Sequence, residues 1–315
     1  MTGRNGAKAA VLALLKSIAV FIIDFIINIV WSLIALVIYT VLFFSAHGAA
    51  LSSEEIFRQT AESPEFLFLS CSYNIFAIAM VYLFWRYVDR ENTGVIGLKW
   101  RSGSLKLLGL GVLGGTFEIG LIILLSLAAG TLWFQGSGFG AYSAAELQSS
   151  LVYGLLAFVL VGFGEEAVFR GYIQKRLMLD LGNRWALLVS SMIFMAAHVF
   201  TYGKLLDFID VALGGAVLGY LYILTDSLYL PAAYHFIYDY LQVNIVRIQD
   251  YEHFTGGVLY IFNNSGDVII SGVNYGNVIE LSFIGAELIV LALLYVFRKR
   301  IRKISGNTAA EISGN

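Results

Sequence analysis

The sequence contains very little cysteine, proline or charge. The shortages of cysteine and of charge each exclude a class of protein. The single cysteine, Cys71, excludes a disulfide framework and a cysteine-rich metal site. Only two prolines occur, and Pro231 stands where a helix is expected to begin. Charged residues make up 13% of the chain, whereas soluble domains contain about 25%. The net charge of −2 gives no basic footprint, so no nucleic-acid partner is expected.

The chain is instead strongly apolar. It is 58% hydrophobic with a mean hydropathy of +0.77, and a helix needs about 20 apolar residues to cross a bilayer core of ~30 Å. These features predict an all-α, polytopic membrane protein with about eight transmembrane helices. The predicted spans are 25–45, 66–85, 105–129, 150–172, 185–202, 208–225, 230–248 and 278–297.

We predict one membrane domain with a short segment at each end. The first apolar run contains Lys16 and Asp24, so residues 1–24 are interpreted as a cytoplasmic or interfacial N-terminal segment. The transmembrane domain is predicted to cover 25–303, and 304–315 form a polar tail. The N-terminal run lacks the small-residue cleavage site of a signal peptide.

The distribution of basic residues predicts the orientation. Sixteen of the 20 Lys and Arg residues fall in segments that share one side of the membrane if the N-terminus is cytoplasmic. Because basic residues concentrate on the cytoplasmic side, both termini are predicted to be cytoplasmic. The expected location is the plasma membrane, as a multi-pass protein in contact with lipid.

The fourth predicted span ends in a charged motif, Glu165-Glu166 followed by Arg170. Ionisable groups within a bilayer usually face a bundle interior or cavity. Glu166 and Arg170 are four residues apart and can pair on one helix face. This pairing would leave Glu165, about 100° around the helix, available as a general base. The alternative is a solvated salt bridge at a helix end, and the motif alone leaves it open.

Two further spans contain histidine. His198 lies near the end of the fifth span, where a lone histidine is more often structural than catalytic. His235 and Asp239 in the seventh span are four residues apart and share a face. Such a pair can bind a metal or hold a water molecule, or can simply satisfy each other by a hydrogen bond. The presence of acid and base groups on three spans favours a functional site.

Taken in order, these motifs resemble the CAAX prenyl protease and bacteriocin-processing family of intramembrane peptidases. The resemblance covers a motif core of about 150–245, and it implies an all-helical membrane endopeptidase. The expected reaction is hydrolysis of a peptide bond. The matching positions are Glu165-Glu166…Arg170, Phe194…His198 and His235…Asp239.

The resemblance also implies roles for these residues. Glu165 would activate the water with assistance from His198, and the other two charged residues of the first motif would support the site. His235 and Asp239 would stabilise the oxyanion or help to bind a metal. The eukaryotic prenyl proteases have Asn where this chain has Asp239, and an ionised Asp cannot donate a hydrogen bond. Asp239 is therefore expected to be protonated, to orient His235, or to ligate a cation.

Metal dependence, substrate and activity stay open from the sequence. A divalent metal such as zinc is a possible cofactor. Its candidate ligands are Glu165, His198, His235 and Asp239, which we expect to meet in one cavity open towards the cytoplasmic half of the membrane. The expected partner is a peptide or protein with a prenylated C-terminus or a leader peptide. A non-catalytic immunity or scaffold protein of the same family and a proton-coupled transporter are the alternatives.

Two more carboxylates are predicted to be buried. Glu118 lies in the third predicted span and Glu287 in the eighth. We interpret both as hydrogen-bonded to neighbouring helices rather than as lining the cavity.

Overall fold

The computed structural model describes residues 3–47, 52–199, 201, 203–247, 258–264, 266–271 and 273–305. Most of these residues are helical. The α-helices are α1 (Gly3–His47), α2 (Ser53–Ala61), α3 (Pro64–Cys71), α4 (Tyr73–Leu83), α5 (Ser104–Ala129), α6 (Gly138–Ala141), α7 (Ala144–Glu166), α8 (Lys175–Ala197), α9 (Leu205–Thr225), α10 (Tyr229–Tyr240) and α11 (Glu280–Ser305). Three π-helical segments, Phe84–Val88, Ala167–Gln174 and Leu241–Ile245, and a 3₁₀ turn, Thr93–Ile96, complete them.

Six helical stretches of the described chain are long and apolar enough to cross a membrane. Large aliphatic and aromatic side chains cover their outer faces, as expected where lipid is the solvent. The prediction of an all-α integral membrane protein is confirmed. The six stretches are Gly6–Ser45, Pro64–Val88, Ser104–Ala129, Ala144–Ala197, Leu205–Thr225 and Glu280–Ser305.

The predicted number of eight spans stays a prediction. The stretch Ala144–Ala197 contains the fourth predicted span and residues 185–197 of the fifth, and its backbone changes direction at Gly182. Gly182 has φ 76° and ψ 169°, a conformation that glycine adopts more readily than other residues. The seventh predicted span consists of α10 and the π-helical turn that follows it, which together are shorter than the other spans.

The terminal helices can be compared with the predicted segment boundaries, which stay predictions. Helix α1 continues through residue 24 without a break, so the predicted end of the interfacial segment is not a helix end. Asp24 is only 8% exposed and lies inside the bundle. Helix α11 extends to Ser305, beyond the predicted start of the tail. Residues 306–315 of that tail lie outside the described residues.

Short strands occupy the loops that were predicted to face outward, and no strands were predicted there. Strands β1 (Leu132–Ser137), β2 (Val246–Arg247) and β3 (Tyr260–Asn264) form one sheet in the order β1-β3-β2. Strand β3 is antiparallel to β1 and parallel to β2. Strands β4 (Asp267–Ile270) and β5 (Val273–Asn277) pair antiparallel. These strands lie outside the six helical stretches that are long and apolar enough to cross a membrane.

An ionic cluster joins segments that were predicted to lie on the cytoplasmic side. The Asp89 carboxylate is 1% exposed and accepts from Lys16 Nζ at 2.6 Å. It also accepts from the Tyr172 hydroxyl at 2.7 Å, and Arg176 Nη1 lies 3.9 Å away. The cluster connects α1, the loop after α4 and the beginning of α8 at one end of the bundle. Which side of the membrane this end faces stays a prediction.

Helix α10 packs tightly between α5 and α7. A Cβ atom on Gly111 of α5 would lie 2.5 Å from the Leu230 carbonyl oxygen, and one on Gly162 of α7 would lie 2.7 Å from that of Ala232. Neither distance leaves room for a side chain. Small residues let helix backbones approach closely within a membrane, and here they bring His235 of α10 against the end of α7.

Candidate active site

The first charged motif forms a completely buried ion pair. Arg170 Nη1 donates to Glu166 Oε1 at 2.7 Å, and the two side chains are 1% and 0% exposed. Arg170 Nη2 also donates to the Gly215 carbonyl oxygen of α9 at 3.0 Å. The predicted pairing is confirmed, and a solvated salt bridge is excluded by this burial. Arg170 lies in the π-helical segment that follows α7, and π-helical turns are frequent at functional sites.

Glu166 also holds the histidine of α10. His235 Nδ1 lies 3.0 Å from the same Glu166 oxygen that Arg170 contacts. The other ring nitrogen, Nε2, lies 3.4 Å from Asp239 Oδ2, which confirms that His235 and Asp239 share a face. The imidazole therefore stands between two carboxylates, with its Nδ1–H donating to Glu166. The contact between His235 and Glu166 was not predicted.

Phe194, the first residue of the second motif, contacts both Arg170 and His198. The centre of its ring lies 4.5 Å from the Arg170 guanidinium carbon and 4.7 Å from the centre of the His198 ring. Its backbone carbonyl lies 2.8 Å from His198 Nδ1, so this nitrogen carries the proton and Nε2 is the basic nitrogen. One aromatic residue thus covers the buried cation and fixes the orientation of the neighbouring histidine.

A cavity of about 100 Å³ lies beside these motifs. His198, His235 and Asp239 all line it, as predicted. Glu165 is not among the described residues that line the cavity, and the convergence of all four candidates stays a prediction. Glu166 does not line the cavity either and reaches it only through His235.

Glu165 is nevertheless near the site. It is half-buried, and its Oε2 atom has no hydrogen-bond partner among the described residues. It interacts electrostatically with His235 and Asp239. On its other side it interacts with Asp24 of α1, which is a second buried carboxylate. Glu165 therefore lies between the histidine site and the first helix.

The cavity contains three acidic residues that the sequence reasoning did not place there. Glu118 and Glu287 both line it, so the interpretation that they only bond to neighbouring helices is wrong. They do make such bonds, since the Tyr234 hydroxyl donates to Glu118 and Glu287 is hydrogen-bonded to Asp210. Asp210 was not singled out. Its signal in the sequence is an acidic residue within an apolar run, which is also the signal for Asp24.

The proposed metal ligands do not form a ligand set as they are placed. Within the described ranges, no three or more His, Cys, Asp or Glu side chains are arranged to hold a metal ion. Zinc in a catalytic site usually has three protein ligands. The side chains in this arrangement do not fit a resident zinc ion, and a metal that binds after rearrangement stays a proposal for experiment.

A comparison with protein families points to the same part of the chain. Residues 147–241 match the family model described as type II CAAX prenyl endopeptidase Rce1-like. The predicted resemblance to the CAAX protease family is confirmed. The matched segment contains the three motifs from Glu165 to Asp239, and members of this family are generally peptidases. The family implies a peptide or protein substrate and a membrane setting.

A curated relative is similar to part of the chain. It is the "Uncharacterized protein YpbD" of Bacillus subtilis (strain 168), which is 29% identical over 143 residues. The alignment covers 44% of this chain and 69% of the relative. No solved structure matches the chain.

Proposed function

We propose that this chain is an intramembrane endopeptidase of the CAAX protease type. The observation that supports this most strongly is the contact series Arg170–Glu166–His235–Asp239. Its first three members are buried, its last two line the cavity, and all four lie within the segment that matches the family. Buried ionisable groups are costly in a membrane protein and usually mark a functional site. The series ends at the cavity, where His235 and Asp239 provide the hydrogen-bonding and acid–base groups that hydrolysis requires.

In this proposal Glu166 and Arg170 are positioning residues. Glu166 accepts hydrogen bonds from both Arg170 and His235 through one oxygen atom. Its charge is balanced by the guanidinium, and its geometry fixes the imidazole ring. His235 is thereby held with Nε2 towards Asp239 and the cavity, where a reacting group can be contacted.

Glu165 is proposed as the general base. It takes a proton from a water molecule, and the water oxygen attacks the carbonyl carbon of the scissile peptide bond. His198 Nε2 assists by accepting a hydrogen bond from this water. Glu165 does not line the cavity in the structure, so its side chain acts after rotation or through one bridging water. Such contacts commonly tighten only when substrate binds.

The remaining groups act on the tetrahedral intermediate. His235, protonated on both ring nitrogens, donates from Nε2 to the oxyanion, and Asp239 stabilises this imidazolium or donates as a neutral acid. Glu165 then returns the proton to the leaving nitrogen, and the carbon–nitrogen bond breaks. The products are a carboxylic acid and an amine, which balances the hydrolysis without any other reactant.

The substrate is proposed to be a peptide or protein segment at the membrane, such as a prenylated C-terminus or a leader peptide. A plasma-membrane location with both termini in the cytoplasm belongs to the same proposal, and it rests on the distribution of basic residues.

Replacement of Glu165 by Gln tests the proposal, because Gln keeps the shape and loses the base. The purified protein is assayed in liposomes with farnesylated and leader-type peptides, and cleavage is followed by mass spectrometry. We expect a loss of about 100-fold or more in the variant. The matched control is Glu54→Gln in the exposed part of α2, which should cleave like the wild type.

Two outcomes would contradict the proposal. Full activity of Glu165→Gln would place the base elsewhere. Absence of cleavage by the wild type on every peptide class, in a folded preparation, would favour the non-catalytic immunity or scaffold function.

A further inference from the structure

The cavity has a second wall, opposite in character to the histidine motifs. Three helices each contribute one carboxyl group to it, Glu118 from α5, Asp210 from α9 and Glu287 from α11. Glu118 is 2% exposed and Glu287 is 4% exposed. Among the described residues that line the cavity, none is Lys or Arg. This acidic wall therefore has no cation of its own at the cavity surface.

The acidic wall has unused hydrogen-bond acceptors. Glu118 Oε1, Asp210 Oδ1 and Glu287 Oε2 are buried oxygens without a hydrogen-bond partner in the described chain. The partners that the carboxyl groups do have use other atoms, since Tyr234 donates to Glu118 Oε2. A buried acceptor without a donor is destabilising. Three such oxygens around one cavity indicate a ligand that supplies several donors.

The geometry indicates the shape of this ligand. A bound metal ion needs its oxygens to converge within about 2.0–2.6 Å of one point, and the described side chains form no such group. A guanidinium group is larger and presents five N–H donors in a planar fork. It can therefore contact carboxylates that are too far apart to share one ion.

We propose that the acidic wall is a subsite for a basic side chain of the substrate, with arginine best matched. The inference rests on the proposed peptidase function and deepens it. Tyr234, which holds Glu118, lines the same cavity as His235 and Asp239, so the subsite adjoins the reacting groups. The cavity of about 100 Å³ has room for the head group of an arginine side chain.

The first experiment measures binding and does not depend on cleavage. Purified protein in detergent is titrated with n-butylguanidinium, an analogue of the arginine side chain, by calorimetry and thermal shift. n-Butanol serves as the neutral probe. We expect the wild type to bind the cation and not the alcohol. The variant Glu118→Gln/Asp210→Asn/Glu287→Gln should bind at least about tenfold more weakly, because charge-assisted hydrogen bonds are lost.

Controls separate the subsite from general charge and from misfolding. Glu54→Gln removes one negative charge outside the cavity and should bind n-butylguanidinium like the wild type. If the triple variant fails to fold, Glu287→Gln alone is used and should still weaken binding. Equal stabilisation of the wild type by the cation and the alcohol would overturn the proposal. Stabilisation by calcium or sodium instead would indicate a metal-ion site and would also overturn it.

The second experiment measures cleavage of paired peptides. The peptides differ only by arginine or citrulline, its neutral isostere, at each position next to the scissile bond. We expect the wild type to prefer arginine at one position by about tenfold or more, and the triple variant to lose the preference. Cleavage without any such preference, together with absence of cation binding, would refute the subsite and leave the peptidase intact. Cation binding without cleavage would refute the peptidase instead.

Discussion

The two walls of the cavity solve the problem of buried charge in different ways. On the wall formed by the motifs, each buried group has a partner, from Arg170 through Glu166 to His235. On the acidic wall, Glu118 and Glu287 keep oxygens without any donor in the described chain. Glu166 Oε2 also lacks a donor in the described chain, so the difference is one of charge. The motif wall has its own cation, Arg170, whereas no Lys or Arg is among the described residues that line the cavity. The motif wall also lies within the segment that matches the family, and Glu118 and Glu287 lie outside it.

The largest expected effect comes from removing one charge from the motif wall. In Glu166→Gln, Arg170 becomes a buried cation without a counter-ion, and such changes destabilise by about 3–5 kcal/mol. The measurement is denaturant or thermal unfolding of the purified protein in detergent. The matched change on the other wall, Glu118→Gln, neutralises an acid that has no cation and should leave stability unchanged or raised. Equal losses in the two variants would contradict the distinction between the walls.

The next effect concerns the aromatic residue that covers the ion pair. Phe194→Leu removes the contact with the Arg170 guanidinium, which is worth about 2 kcal/mol when desolvated. It also loosens His198, so cleavage should fall together with stability. Phe283→Leu, a change at a buried position in α11, serves as control and should cost packing energy without lowering activity. Loss of activity in both variants to the same extent would argue against a specific role for Phe194.

A smaller effect is expected at the boundary between the walls. Tyr234→Phe removes the hydrogen bond to the Glu118 carboxyl group, and bonds to charged groups contribute about 1.5–3 kcal/mol. Tyr229→Phe removes a 2.8 Å bond to the Leu98 carbonyl oxygen, and such neutral bonds contribute about 1 kcal/mol. Unfolding measurements should therefore show a larger loss for Tyr234→Phe. The reverse order would mean that Glu118 is neutral in the folded protein.

The smallest change is expected for Asp239→Asn. If Glu165 activates the water without a metal, Asn is a permanent donor and activity should be kept or slightly raised. The assay compares wild type and variant, each with and without a chelator and with added zinc. A chelator-sensitive wild type together with an inactive variant that zinc restores would establish a metal mechanism instead.

Much of the helical part of the molecule could be predicted from the sequence because it depends on local properties. Apolar runs long enough to span the bilayer identify helices without any tertiary information. The pairs Glu166–Arg170 and His235–Asp239 follow from helix geometry, since residues four apart lie on one face. The residues that form these two pairs could therefore be predicted from the sequence.

Other features could not be predicted because they depend on how helices meet. The contact between His235 and Glu166 requires α10 to lie against the end of α7, with a particular rotation about its axis. Which residues of α7 reach the cavity depends in the same way on the packing of α7, and Glu165 is not among the lining residues. Asp24 was interpreted as a sign of the interface, yet it is buried because α1 packs along the bundle. The strands in the loops have too few residues to give a hydropathy signal.

The sequence by itself determined that the chain is a helical membrane protein, and it determined the order of the motifs. It did so because bilayer thickness and helix periodicity act within single segments. Only the tertiary structure decided which carboxylates share the cavity. Glu118, Asp210 and Glu287 are far apart in the sequence, and they meet because α5, α9 and α11 pack around one space. Contact between distant helices depends on the fit of whole surfaces, which no single segment encodes.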